Sequence, residues 1–242
     1  MKRLSRLDEA LVKMGHAESL AAAKALIMSG NVIVDDQRQD KPGFMISDQA
    51  EVRIKGQSRF VSRGGEKLFA AITDLGLEKE FNGRVVLDIG ASTGGFTDCV
   101  LQMGASKSIA LDVGTAQLDW RLRQDPRVIS IERTDFKDFS PSGLPDIDWV
   151  VADVSFTSLA KLIPSIRKCA PKARLLLLVK PQFELPRDKI PDGGVVSNDD
   201  DRHQALEMVR LALLNEGYKD VLSVDAKVVG RQGNREIFIL TN

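Results

Sequence analysis

Val85-Val-Leu-Asp-Ile-Gly-Ala-Ser-Thr-Gly-Gly-Phe-Thr-Asp-Cys99 is the stretch whose reading decides the fold. Val85, Val86, Leu87 and Ile89 form a β-branched and aliphatic run, the pattern of a strand buried on both faces, as in a parallel sheet. Gly90, Gly94 and Gly95 follow, residues that accept positive φ and let a ligand approach the backbone, before a helix begins near Phe96. Asp88 sits at the carboxyl end of the strand, where open α/β sheets bind their ligands. A tight strand-to-helix turn with no ligand would look the same, so residues elsewhere must decide.

Downstream, Ser108–Val113 reads as a second strand, carrying Asp112 near its end, and Val128–Ile131 as a third, followed by Asp135. Trp149–Asp153 gives a fourth strand closed by a carboxylate, and Leu175–Val179 a fifth that runs into Lys180-Pro181. Helical patterns at Phe96–Met103, Ala116–Arg123 and Ser158–Cys169 separate them, and a helix over His203–Glu216 precedes strand-like segments at Val221–Val229 and Glu236–Leu240. Alternation of strand and helix specifies a doubly wound α/β domain. Upstream, Arg63-Gly-Gly introduces a helix with Lys67, Leu68, Ala71, Ile72 and Leu75. Lys67 falls in its first turn, where a cation meets the positive end of the helix dipole, so its presence there calls for a reason.

The first 58 residues read differently. Leu4, Leu7, Leu11 and Val12 recur at helical spacing, a second helix spans Ala17–Met28 with Ser19 as cap, and strands are expected at Asn31–Asp36 and Glu51–Lys55. This predicts a small α+β domain at 1–58, a connector at 59–63 and an α/β domain at 64–242. In 242 residues, 43% hydrophobic and 28% charged, there is room for one ordinary domain and a small one. Formal net charge is zero, yet residues 1–67 hold twelve basic against nine acidic groups, which points to a polyanionic partner for that end. Cys99 and Cys169 lie in apolar segments and suit free thiols in a reducing compartment; with two histidines, they offer no metal-ligand spacing. The start lacks the apolar core of a signal peptide and no run is long enough to cross a bilayer, so a cytoplasmic protein with no membrane or metal partner is expected.

A dinucleotide site would require G-x-G-x-x-G against a pyrophosphate. Gly90-Ala-Ser-Thr-Gly94-Gly95 does not have that spacing. An acid before the first glycine, a second closing the next strand and a third after strand three instead resemble the pattern of methyltransferases, which implies S-adenosylmethionine. The candidate cofactor residues are Asp88, Gly90, Ser92, Thr93, Gly94, Gly95, Asp112 and Asp135, the carboxylates serving the ribose hydroxyls and the adenine amine.

Three resemblances sharpen this. Arg6-Leu7-Asp8, Leu11, Ala22-Ala-Lys24-Ala25-Leu26-Ile27, Gly30-Asn31-Val32-Ile33-Val34 and Lys41-Pro42 resemble the S-four-type RNA-binding domain, although Leu20 and Ala21 stand after Ser19 where the family usually has a basic residue. That likeness implies RNA contacts from among Arg3, Arg6, Lys13, Lys24, Arg38 and Lys41, to which Arg63 is added at the domain junction. Arg63-Gly-Gly-Glu-Lys67, Ala152-Asp153-Val-Ser-Phe156, Val179-Lys180-Pro-Gln-Phe-Glu184 and Gly233-Asn-Arg-Glu236 look like the Lys-Asp-Lys-Glu tetrad of RNA 2′-O-methyltransferases. The chain as a whole is similar to the TlyA family, which joins an S-four-type domain to a Rossmann-like methyltransferase domain, its sheet mostly parallel with the last strand antiparallel, and acts on ribosomal RNA. Asp135-Phe-Lys137 departs from the Asn-x-Arg of many members, which puts the role of Asp135 at the adenine in question.

The chemistry fits the residue types. A ribose hydroxyl is a poor nucleophile and needs a base as it attacks a sulfonium methyl. A free lysine is protonated at neutral pH, and burial beside a second cation favours the amine. Lys180 is therefore the expected base, with Lys67 the neighbouring cation and Asp153 and Glu236 orienting both. Phe183 and Pro181 would wall the methionine or the target base, and Pro186–Gly194 is either a solvated connection or a lid. The competing readings are an RNA-binding protein with an inactive methyltransferase domain, a membrane-active haemolysin, and an enzyme with a different acceptor.

Overall fold

The computed structural model describes residues 4–47, 50, 52–54, 59–219, 221–230 and 233–241. The chain forms two compact units, residues 1–58 and 59–242.

In the first unit, β1 (Leu4–Arg6) pairs antiparallel with β4 (Met45–Ser47), and β2 (Val32–Val34) lies between β3 (Gln37–Gln39) and β5 (Val52–Ile54). Helices α1 (Leu7–Lys13) and α2 (Leu20–Met28) bury Leu7, Leu11, Ala23 and Ile27 against Val32, Val34, Ile46 and Ile54. Ser19 caps α2, its side chain accepting the Ala22 N–H. Leu4 to Arg6 are a strand rather than the start of the first helix, because three residues paired with β4 lead into α1 at Leu7. The ends of the expected 51–55 strand, Glu51 and Lys55, lie outside the described residues.

The second unit is a sheet between two helical layers. Its strands are β6 (Val85–Ile89), β7 (Lys107–Leu111), β8 (Val128–Ile131), β9 (Trp149–Ala152), β10 (Arg174–Val179), β11 (Leu222–Asp225) and β12 (Ile237–Leu240). Their order is β11-β12-β10-β9-β6-β7-β8, parallel from β10 to β8, while β12 runs antiparallel to both of its neighbours. Strand alternation divides the core. Leu87, Ile89, Val150, Leu175, Leu177 and Ile239 face α6 (Leu159–Cys169) and α8 (Asp199–Asn215). Val86, Trp149, Val151, Leu176, Leu178 and Phe238 face α3 (Arg63–Asp74), α4 (Gly95–Gln102) and α5 (Trp120–Gln124).

Three boundaries differ from the sequence reading. The expected 116–123 helix begins only at Trp120, because Ala116 takes a left-handed φ of 57° and Asp119 caps the shorter α5. The last long helix begins at Asp199, capped by Asn198, with three aspartates in its first turn that favour the dipole. The expected 221–229 strand pairs only over Leu222–Asp225. Residues 59–61 lie packed on α3 and α4: Val61 N–H donates to Asp98 (2.9 Å), Arg59 N–H to Glu66 (3.2 Å), and the Arg59 guanidinium lies 4.1 Å from the Phe69 ring centre.

Helices α3 and α4 meet at their amino ends through glycine. A Cβ on Gly65 would stand 2.3 Å from the Phe60 Cβ and 2.9 Å from the Gly95 carbonyl oxygen. Gly-to-Ala inside a helix ordinarily stabilises by about 0.5–1 kcal/mol. Here the sign reverses: Gly65→Ala is expected to destabilise by about 1–3 kcal/mol, the range for overpacking, read as a lower midpoint in urea or heat unfolding. An unchanged or higher midpoint would show that α3 is free to move away from α4.

Candidate active site

The site follows from strand order. Glu236, Lys180, Asp153, Gly90 and Asp112 stand side by side at one rim, because β12, β10, β9, β6 and β7 are consecutive. The pairs Val179↔Ile237, Leu177↔Ala152 and Ile89↔Ala152 set their ends nearly level. Continuing the β10–β12 register by one residue places Lys180 opposite Glu236. By period-two alternation Asp88, Asp153, Lys180 and Glu236 all belong to the sheet face that α3 and α4 cover, so Lys67 on α3 can reach them.

Two ion pairs result. Lys67 Nζ donates to Glu236 Oε2 at 2.5 Å, with both side chains at most 10% exposed. Lys180 Nζ lies 2.5 Å from Asp153 Oδ1 and donates to Ser155 Oγ at 2.9 Å. The glutamate answers the question raised by Lys67: a carboxylate from 169 residues away offsets its position in the first turns of α3. Both pairs line a cleft of about 720 Å³ whose floor is Gly90–Thr93 and the start of α4. It opens into a second hollow of about 470 Å³, with Asp112, Val113, Asp135, Phe136 and Lys137 among its walls. Gly90, Ser92, Asp153, Ser155 and Phe156 line both. Gly90 has φ 81°, and a Cβ there would lie 2.9 Å from the Asp153 carbonyl oxygen, so a side chain would close the passage between turn and β9.

Asp112 holds the turn as well as facing the hollow: its carboxylate oxygens accept the Ser92 and Gly114 N–H groups, each at 2.7 Å. Asp135 caps the short helix 136–138 by accepting the Lys137 N–H at 3.0 Å, and also faces the hollow. Ser92, Thr93 and Gly95 line the larger cleft. Gly94 and Asp88 do not. Gly94, with φ 95°, turns towards Leu118 and Leu122, whose methyls would meet a Cβ at 2.7 and 2.2 Å, so it shapes the backbone from behind. Asp88 is fully buried, and one carboxylate oxygen accepts both the Thr97 N–H (2.9 Å) and the Thr97 hydroxyl (2.7 Å). It braces the first turn of α4 instead of lining the cleft.

Sequence reading had not singled out Ser155, Phe156, Asn234 or Glu184. Phe156 is 93% exposed at a left-handed φ of 64°, beside Phe183 at 5.5 Å between ring centres. Asn234 is buried, donating to the Gly194 carbonyl (2.9 Å) and accepting the Val196 N–H (2.8 Å). These contacts tie the end of the 186–194 segment down. None of that segment lines the cleft; Ile190 packs with Leu185, Val196 and Ala205, while residues 186–189 and 191–193 are exposed. Arg63 lies at the cleft and donates to the Val229 carbonyl at 2.7 Å.

In the first unit Arg6 makes a bidentate pair with the buried Asp8, at 3.0 and 2.8 Å, while its side chain stays 46% exposed. Lys24 adds to the field that, with the Arg6 hydrogen bonds as first cause, holds the Asp8 carboxyl below its usual range. The turn containing Lys41 docks here, its Pro42 carbonyl accepting the Asp8 N–H. Arg38 lays its guanidinium over Gly30, and Lys13, Lys24, Arg38 and Lys41 are exposed; Arg3 lies outside the described residues. No helix among the described residues is long and apolar enough to cross a membrane.

Comparison with known proteins agrees with this geometry. Residues 60–242 match the FtsJ-like methyltransferase family and residues 5–52 the S4 domain. The 16S/23S rRNA (cytidine-2′-O)-methyltransferase TlyA of Mycobacterium tuberculosis is 38% identical over 243 residues, 99% of this chain and 90% of that one. A Bacillus subtilis protein, YqxC, named as a candidate rRNA methyltransferase, is 39% identical over 97% of this chain and 84% of its own. A solved structure from Streptococcus thermophilus, labelled a candidate hemolysin, superposes with TM-score 0.72 at 36% identity, covering 100% of this chain and 90% of its own.

Burial pushes the Asp88 carboxyl up to about 7, opposed by the two Thr97 hydrogen bonds and reinforced by the charges of Asp153 and Asp112. Unfolded, the group ionises near 3.8. Between those values the folded chain holds the extra proton, so this group's contribution to stability is present at low pH and is lost as pH rises towards 7, by at most about 1.4 kcal/mol per unit. Asp88→Asn should remove that slope. Denaturant titrations at pH 5 and pH 8 should show wild type losing stability relative to the variant at the higher pH; a constant difference would contradict the assignment.

Proposed function

The chain belongs to the FtsJ-like methyltransferase family, and from that premise we propose that it transfers methyl groups from S-adenosylmethionine to ribose 2′-hydroxyls of ribosomal RNA in the cytoplasm. The observation that carries this reading is the pair of lysine–carboxylate contacts, buried Lys67–Glu236 and half-buried Lys180–Asp153, in the same cleft as the glycine turn.

The cleft fits the cofactor in shape and in donor chemistry. The smaller hollow combines apolar walls, Leu111, Val113, Phe136 and Leu162, with two carboxylates, a surface suited to an adenosine. Asp112, with one N–H on each oxygen, keeps lone pairs that would accept from a ribose diol, and Asp135, in the wall of the same hollow, would accept from an exocyclic amine. The backbone of Gly90–Gly95 and the amino end of α4 suit the methionine end, whose carboxylate gains from the helix dipole. When bound, S-adenosylmethionine supplies a methyl group on a positively charged sulfur.

Lys180, in contact with Asp153 and Ser155, is in this reading the group that takes the 2′-hydroxyl proton, a task that requires its amine form. Asp153 fixes the direction of the Lys180 side chain, and Glu236 holds Lys67 in the same cleft. Phe156 and Phe183 offer an exposed aromatic surface next to Lys180, on which an unstacked base can lie. The basic residues of the S4 domain, Arg3, Arg6, Lys13, Lys24, Arg38 and Lys41, with Arg63 at the cleft, supply phosphate contacts that position the RNA without reading its sequence.

Mapping 2′-O-methylation on ribosomal RNA from cells with and without the protein tests the substrate: sites lost with the protein are expected, and identical maps would overturn the reading. Lys180→Ala should reduce transfer by at least about 10²-fold, the usual scale for a general base, while calorimetry with S-adenosylmethionine gives an unchanged affinity. Activity close to wild type would remove Lys180 from that role.

A further inference from the structure

Glu184 is a buried carboxylate to which the proposed mechanism gives no task. It is 6% exposed at the end of α7 (Pro181–Glu184), a single turn that begins immediately after Lys180. Its oxygens accept from the Leu159 N–H at 2.6 Å, the Ser158 hydroxyl at 2.7 Å and the Ala160 N–H at 3.3 Å. These are groups at the amino end of α6, where N–H groups lack helical partners and Ser158 makes no side-chain capping bond of its own. The cap comes from another segment, 25 residues further along the chain.

This cap joins the two loops that form the Lys180–Asp153 pair. On one side, Pro181 fixes the turn, the Phe183 N–H donates to the Lys180 carbonyl at 2.9 Å and the Leu185 N–H to the Pro181 carbonyl at 3.1 Å, so Glu184 and Lys180 belong to one rigid turn. On the other side, only Val154 to Thr157 separate Asp153 from Ser158, and this short loop carries Ser155, the hydrogen-bond partner of Lys180, and Phe156 at φ 64°. A non-glycine residue in that conformation persists only where its surroundings hold it. Burial pushes the Glu184 carboxyl up, a cost opposed by the three donors.

We propose that Glu184 is a positioning residue for methyl transfer: by capping α6 it clamps the loop of Asp153, Ser155 and Phe156 against the turn that begins at Lys180. The inference rests on Lys180 as the base. Loss of the clamp lets the Lys180 side chain and its partners separate while the cofactor turn, braced independently by Asp112 and Asp88, stays in place.

The test uses the full chain with ribosomal RNA substrate and the variants Glu184→Ala, Glu184→Gln and, as control, Lys180→Ala. Glu184→Ala is expected to lower kcat by about 10- to 100-fold, the scale of a misplaced reacting group, with S-adenosylmethionine Kd and RNA KM within about twofold of wild type. Glu184→Gln, which keeps one carbonyl acceptor, should retain intermediate activity. Labelling with an amine-acylating reagent, followed by peptide mass spectrometry, should show Lys180 reacting several times faster in Glu184→Ala and Lys67 unchanged, a selectivity that general loosening would not produce. Unchanged kcat and Lys180 labelling in either folded variant, or equal acceleration at both lysines, overturns the clamp. If Glu184→Ala does not fold, the same readouts on Glu184→Gln decide. Activity retained by Lys180→Ala would instead overturn the base assignment, with the labelling result still reporting on the clamp.

Discussion

The register between β10 and β12 is the constraint on which the site depends. Leu176 opposes Leu240 and Val179 opposes Ile237, which leaves Lys180 and Glu236 facing one another just beyond the last pair. Antiparallel pairing brings the start of β12 to the rim where the parallel strands end, so a carboxylate near the carboxyl terminus of the chain joins a lysine from the middle of it. A slip of one residue would turn Phe238 and Leu240 away from α3 and α4 and Glu236 away from Lys67. The apolar faces and the charged rim therefore specify the same register. Phe238 and Ile239, both fully buried on opposite faces, make any other pairing costly.

A second constraint is close approach between helices. Lys67 reaches Glu236 because the start of α3 lies against the start of α4, with Gly65 and Gly95 in contact where side chains would keep the backbones apart. A Cβ on Gly95 would sit 2.2 Å from the Ser62 hydroxyl and 2.8 Å from the Gly65 nitrogen. Two helix amino ends brought together repel through their dipoles, and a buried ammonium beside them adds to that cost. Glu236 and, on the outer side, Asp98 and Glu66 accepting from 59–61 place negative charge where it offsets the repulsion. The glycines thus serve twice, once in the turn that floors the cleft and once in the helix contact that brings Lys67 to Glu236.

Much of this was legible in the sequence where chemistry and burial coincide. The apolar runs at 85–89, 149–152 and 174–179 are strands because they are buried on both faces, and each ends at a charged or glycine residue because the rim is where burial stops. Short polar strands were not legible: Gln37–Gln39 is a strand only because β2 lies beside it. α8 begins four residues before the expected His203, although an Asn cap followed by acids is itself a helix-start signal. Within the site, residue types and local contexts named all four members of the two ion pairs, but which lysine meets which carboxylate depends on contacts across 169 and 27 positions of sequence. Glu184 was passed over for the same reason, since its partners lie on another element.

Asp88 shows where position in sequence and role in space separate. An acid before a glycine turn looks like a cofactor ligand because it stands at the ligand-binding end of its strand. Strand alternation nevertheless points it at α4, and there it meets the Thr97 N–H and hydroxyl. Asp112, one strand over, extends beyond its strand and reaches both the turn and the hollow. The turn is thereby held from two sides by carboxylates, one behind it and one beside it. Its inner surface is left to backbone and to small side chains, which offer shape and partial charge but no proton-transfer chemistry. Side chains with proton-transfer chemistry come instead from the neighbouring strands, where Lys180 and Asp153 follow directly on the ends of β10 and β9. The division is not complete, because Asp153, Ser155 and Phe156 line both hollows, so the loop after β9 is shared between the two sides of the rim.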